Sequence, residues 1–182
     1  MEEKRKELEI KVDKKDIRKS WWIWYMGAEV SNSYERLQSL IFCASMTPVL
    51  KKLYKDKAEL SEALKRHLNF YNTEGVAGSV ITGITIAMEE QRANNEQGSS
   101  DAAITGIKTG LMGPIAGIGD SIIWAAIMPI IIALFLPFAL GGNALGAIMP
   151  IILYTGVTIL IGYYLCIKGY VIGKNSILQL LQ

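Results

Sequence analysis

The side chains best suited to chemistry lie in a few short strings. Glu89-Glu90-Gln91-Arg92 closes an uncharged stretch that begins at Val76, so a carboxylate there can face a protein cavity rather than water. Two carboxylates beside an amide supply the bidentate acceptors and donors that neighbouring hydroxyls of a solute require. The same residues also suit a solvated helix end with a local Glu-to-Arg contact. Asn72 and Thr73 follow Phe70-Tyr71, where they offer polar atoms to a solute packed on the rings or, equally, cap the following helix. Asp120 opens a long uncharged run, as a carboxylate capping a first helical turn does. Lys108, across a glycine-rich string, is its candidate partner, because a charge drawn toward lipid is costly alone.

Several kinds of chemistry are excluded. The single histidine, His67, has no nearby carboxylate in sequence and reads as a surface residue of an amphipathic helix, which argues against a metal site and a His-dependent triad. No metal and no cofactor are expected, and no nucleophile and base can be named for a free-standing enzyme. Cys43 and Cys166 are isolated and read as small packing residues. Gly117-Ile-Gly119 and Gly106-Ile-Lys-Thr109 do not complete a phosphate-binding loop, so ATP is discarded. Charges in the first 120 residues cancel, since all 17 acidic and 17 of the 19 basic residues lie there. That leaves no basic face for nucleic acid.

The elements that must position these groups follow from the charge pattern. Residues 1–19 carry eight Lys or Arg and six Asp or Glu, the composition of a solvated cytoplasmic arm, helical near its end. Trp21, Trp22, Trp24 and Tyr25 come directly after Lys14, Lys15, Arg18 and Lys19, a pattern that marks a membrane interface, with an aromatic core cluster as the alternative. Apolar stretches at residues 37–50 and 76–88 hold 14 and 13 residues, too short to span a bilayer and suited to buried or re-entrant helices. Between them Leu60, Leu64, Leu68 and Tyr71 recur at helical spacing with charges on the other face, predicting an amphipathic helix. Residues 92–101 read as an exposed loop.

Residues 106–120 hold four glycines and a proline between Thr109 and Asp120 in an apolar setting and read as a break in the backbone. From Ser121 to Ile167 there are 47 residues without a charge, enough for two passes at 121–140 and 147–167 joined by an uncharged loop. Lys168 and Lys174 follow, so the positive-inside rule puts both ends of the hairpin in the cytoplasm. The chain divides into an arm (1–19), an interfacial and re-entrant helical region (20–105), the glycine-rich break (106–120), two transmembrane helices (121–167) and a cytoplasmic tail (168–182). The fold class is all-α, a polytopic protein of the lipid bilayer with cytoplasmic or interfacial amphipathic helices and a C-terminal transmembrane hairpin.

Specific strings then carry a resemblance. Phe70-Tyr-Asn-Thr-Glu74, Ile84-Thr-Ile-Ala-Met-Glu-Glu-Gln-Arg-Ala-Asn94 and Gly106-Ile-Lys-Thr-Gly-Leu-Met-Gly-Pro-Ile-Ala-Gly-Ile-Gly-Asp120 resemble the IID component of the mannose/fructose/sorbose/N-acetylgalactosamine family of bacterial phosphoenolpyruvate-dependent sugar phosphotransferase systems. Lys15-Asp-Ile-Arg18, Tyr34-Glu-Arg-Leu-Gln38 and Gly162-Tyr-Tyr-Leu165 fit in the same order, so the resemblance covers nearly the whole chain. Ser33 and Gly75 depart from the family pattern, which commonly has Asn and Pro there, and family members continue substantially beyond the position of Gln182, so the chain is truncated relative to them. The resemblance implies a non-catalytic subunit of the bacterial inner membrane. It implies a IIC membrane partner, soluble IIA and IIB phosphocarriers that pass phosphate to a hexose or amino sugar during uptake, and assembly of several IIC–IID pairs. It favours Asn72, Glu89, Glu90, Gln91, Lys108 and Asp120 as sugar contacts, with a purely docking subunit as the alternative.

Overall fold

A computed structural model describes residues 10–95 and 99–180, with side chains through Asn175. The expected solvated arm lies outside the described residues up to position 9. Beyond that the chain is docked rather than free: Ile10 exchanges hydrogen bonds of 3.1 Å with the Asn94 side chain, and Val12 N donates to Glu90.

Helix α1 (Lys14–Gly27) starts where Asp13 accepts from the amides of Lys15 and Asp16, while Asp16 returns a bond to the Asp13 amide. This reciprocal cap satisfies orphan amides of the first turn. Ile17, Ser20, Trp21 and Trp24 then fall on one buried face, and Trp22 stays 45% exposed. Trp21 and Trp24 thus belong to the core, the alternative reading of the cluster, while Trp22 lies off that face.

The two short apolar stretches form α2 (Ser39–Leu53) and α4 (Ser79–Ala93), both inside the bundle. Between them α3 (Lys57–His67) is the expected amphipathic helix, capped by Asp56. Two of its residues differ from expectation. His67 is fully buried and Arg66 nearly so, because Glu89 on α4 supplies a carboxylate that is remote in sequence but adjacent in space.

Residues 106–120 do not break the chain. They lie in α5 (Asp101–Gly119), which runs on through a stretch of wide π turns (Asp120–Ile127) into α6 (Met128–Leu140). Glycine and proline disfavour helix when water is the alternative partner, but an apolar segment that has no water to bond must keep its backbone bonds internal. The local irregularity moves instead to the π turns, which end just before Pro129, a residue with no N–H to continue an α ladder.

A turn through Gly142, at φ +73°, leads to α7 (Leu145–Leu180), whose first amide bonds the Asn143 side chain. The expected spans 121–140 and 147–167 thus lie inside two longer apolar helices, Asp101–Leu140 and Leu145–Asn175. Leu134, Leu136, Phe138, Ile148, Ile151 and Leu160 are exposed on the hairpin. Its foot is embedded in the bundle, where α7 packs backbone to backbone on α4. A Cβ at Gly83 would lie 2.0 Å from the Cys166 carbonyl oxygen, and one at Gly169 would lie 2.1 Å from that of Val80. The described residues are otherwise joined by turns and two isolated β-bridges.

Candidate functional site

Where the hairpin leaves the bundle there is an open cleft of about 450 Å³. Its walls come from three segments far apart in sequence: Glu29, Asn32 and Gln38 after α1, Asn72, Thr73 and Glu74 before α4, and Ala116, Asp120 and Trp124 at the α5 to π junction.

Gln38 joins the first two walls. Its side-chain amide donates to the Ala28 carbonyl (3.1 Å), its side-chain oxygen accepts from Thr73 N (2.8 Å), and its backbone N–H bonds Tyr71 O (2.9 Å). The loop before it doubles back through reciprocal Ser33 and Leu37 bonds, with Leu37 in the left-handed region at φ +46°. A left-handed conformation in a branched apolar residue is uncommon and needs such surroundings to hold it. Glu74 is fixed by the amides of Val76 (3.0 Å) and Ala77 (2.6 Å). Gly119 lets the third wall meet it, since a Cβ there would stand 2.6 Å from the Glu74 carboxylate.

The cleft is acidic. Glu29, Glu74 and Asp120 line it, and no Lys or Arg is among the lining residues. Glu29 lies near the carboxylates of Glu74 and Asp120 and accepts a hydrogen bond from the Gly75 N–H. With three amide side chains and the Trp124 ring, the walls offer acceptors and donors for adjacent hydroxyls and one flat apolar face.

Two of the six expected contact residues, Asn72 and Asp120, meet in this cleft. Asp120 does not cap a helix start, because its own N–H bonds Ala116 and Gly117 carbonyls in a continuing helix. The other four lie elsewhere. Glu89 is fully buried and accepts from Arg66 Nε (2.7 Å), His67 Nε2 (2.9 Å) and Tyr54 Oη (2.8 Å). Burial alone would raise its pKa, but the bonds from His67 and Arg66 outweigh that and hold it at about 2. Burial also lowers the His67 pKa, against the pull of Glu89. Glu90 binds Val12 N (3.2 Å), Lys174 Nζ (3.2 Å) and Tyr170 Oη, and the Gln91 side chain donates to Lys174 O (3.3 Å). Lys108 is fully buried above the rings of Phe42 (5.1 Å) and Tyr71 (5.5 Å). Its ammonium has no hydrogen-bond partner among the described residues, so the expected pair with Asp120 does not form.

The sequence reading missed Glu29, Asn32, Gln38, Glu74 and Trp124 as cleft residues. Gln38 and Glu74 end two of the strings that carry the family resemblance, which is the signal that could have found them. Glu29, Asn32 and Trp124 have no local spacing that marks them.

A helical bundle with an uncovered apolar hairpin and an acidic cleft at its root defines a membrane protein with a polar site. The chain belongs to the PTS system mannose/fructose/sorbose family IID components, whose family model matches residues 11–182. It is 43% identical over 139 residues to the PTS system mannose-specific EIID component of Escherichia coli K12, covering 76% of this chain and 49% of that one. It is also 43% identical over 150 residues to the fructose permease IID component of Bacillus subtilis 168, covering 82% and 54%. A solved chain from the mannose transporter ManYZ and microcin E492 complex superposes with a TM-score of 0.84 at 40% identity, over 92% of this chain and 61% of that one. The chain thus spans about half the length of the curated relatives it matches.

Proposed function

We propose that this chain forms, with a IIC subunit, the translocation path of a phosphotransferase permease for a hexose or amino sugar, and that the acidic cleft is its share of that path. Partner IIB, charged by IIA, phosphorylates the sugar during uptake. The observation that supports this reading is the level of the cleft along the uncharged part of α7. Residues 147–167 of α7 are uncharged and about 31 Å long at ~1.5 Å per residue, which matches a hydrocarbon core of ~30 Å. The Trp124 ring lies 6.2 Å from that of Tyr154, near the middle of that run. Three carboxylates at mid-bilayer cannot face lipid, and they fit a hydrophilic solute's route.

A helix from the IIC partner has a natural seat beside the cleft. Gly83 and Gly169 show what helix glycines do in this chain, which is to admit a neighbouring backbone. Gly106, Gly110, Gly113 and Gly117 share one face of α5, and a Cβ at any of them would meet open space. A close-packed helix from outside the chain supplies the missing neighbour.

In cells carrying the full-length permease, Asp120→Asn and Asn72→Ala are expected to cut uptake and phosphorylation of labelled sugar about tenfold or more, the cost of losing one hydrogen bond involving a charged group or a comparable polar contact. IIC should still co-purify at the unmodified yield. Normal uptake by both variants would remove the cleft from the path.

A further inference from the structure

Helix α1 carries its charge and its apolar surface on one stripe, in sequence along the axis. Lys15, Lys19, Trp22 and Met26 are spaced to share the face opposite the buried Ile17, Ser20, Trp21 and Trp24, and Arg18 borders it. The cations occupy the first half, and Trp22 (45% exposed) and Met26 (59%) the second. A helix lying flat on a membrane separates polar and apolar residues around its axis instead.

Two other helices change from apolar to basic at the same level. Trp21 packs on Tyr163 with ring centroids 5.2 Å apart, and Tyr25 Oη meets Thr158 Oγ1 at 2.9 Å, so α1 runs antiparallel to α7. Lys168 follows Tyr163 by about 7.5 Å at ~1.5 Å per residue, which is the level of Asp16 on α1. There Lys52, next to Lys51 at the basic end of α2, bonds Asp16 at 2.5 Å. Above this plane Leu160 and Tyr164 on α7 are exposed as well.

We infer that α1 stands upright in the cytoplasmic leaflet, with the hydrocarbon boundary between Lys19 and Trp22, and that Lys15, Arg18 and Lys19 hold anionic headgroups while Trp22 and Met26 face acyl chains. This rests on the membrane reading above. The occupant is lipid because the stripe matches a leaflet in charge order, cations at headgroup level and rings below them.

The test uses the full-length permease in vesicles of phosphatidylcholine and phosphatidylglycerol with acyl chains brominated at mid-depth. Trp22→Phe should reduce the quenched part of the tryptophan emission, and Leu160→Trp, at an exposed hairpin position outside the cleft, should add to it as the control. Added quenching with Leu160→Trp but no loss with Trp22→Phe would mean that protein or water covers α1, and would overturn the inference while leaving the membrane reading intact. No change with either variant would overturn both. With bromines only on phosphatidylglycerol, the Trp22 component should be quenched at least about twofold more than with bromines only on phosphatidylcholine, since basic residues near a membrane surface draw anionic lipid to them. A combined Lys15→Gln, Arg18→Gln and Lys19→Gln variant should abolish that preference. Equal quenching by the two lipids in the unmodified protein would refute the headgroup contact.

Discussion

Glu89 is the residue that holds together the end of the bundle away from the hairpin. It gathers Arg66, His67 and Tyr54 from two other segments, and Arg66 and Arg92 extend the set to Asp101 on α5 at 2.5 and 2.8 Å. Glu89→Gln should therefore cost roughly 3–5 kcal/mol, because it leaves the buried guanidinium with only the half-exposed Asp101 as counter-charge and His67 and Tyr54 without their carboxylate acceptor. Thermal unfolding of the detergent-solubilised chain measures this, and a change below about 1 kcal/mol would contradict it. The folded carboxyl is held at about 2 against an ordinary 4.5. A depressed acid contributes stability above its unfolded value, so this contribution should be complete above pH 4.5 and fade as pH falls toward 2. In the cleft, Gly75 offers its N–H to Glu29, and a Cβ there would stand 2.8 Å from the Glu29 carboxylate. None of these partnerships is visible as spacing in the sequence. His67 and Glu89 are separated by 22 positions, so a histidine that local context marks as a surface residue becomes a buried one through packing alone.

At the scale of elements, much was legible. Charge onset and helical periodicity placed the amphipathic α3, the two buried helices and the apolar hairpin, because those signals report burial directly. The glycine-rich string misled as secondary structure, since glycine and proline propensities are measured against water and α5 has little of it. What those glycines do is packing. Gly83→Ala should separate α4 from α7 and destabilise the chain by about 3 kcal/mol, in the range of overpacked cores. Gly113→Ala, facing open space, should leave the isolated chain as stable or slightly more so. Gly113→Leu, by contrast, should reduce co-purification of IIC while the melting temperature of the chain alone stays put. Melting curves and pull-down yields of the three variants decide this, and normal IIC recovery with Gly113→Leu would place the partner on another face.

The whole molecule is a bundle with an apolar hairpin rising from it and an acidic cleft where the two meet. The sequence contained the hairpin and, in Asn72 and Asp120, two of the residues that line the cleft. It could not contain the cleft, whose walls come from segments as distant as Glu29 and Trp124 and exist only when α1, α4 and α5 are packed. The most direct measurement is protection of the cleft by sugar. Asn72 is exposed, and the two native cysteines are buried, so Asn72→Cys in the full-length complex gives a reactive thiol at the proposed path. D-mannose, D-fructose and D-glucosamine are each tested as protectants, and at least one should slow alkylation of that thiol several-fold. An alkylation rate unchanged by all three sugars would contradict a sugar path through this cleft.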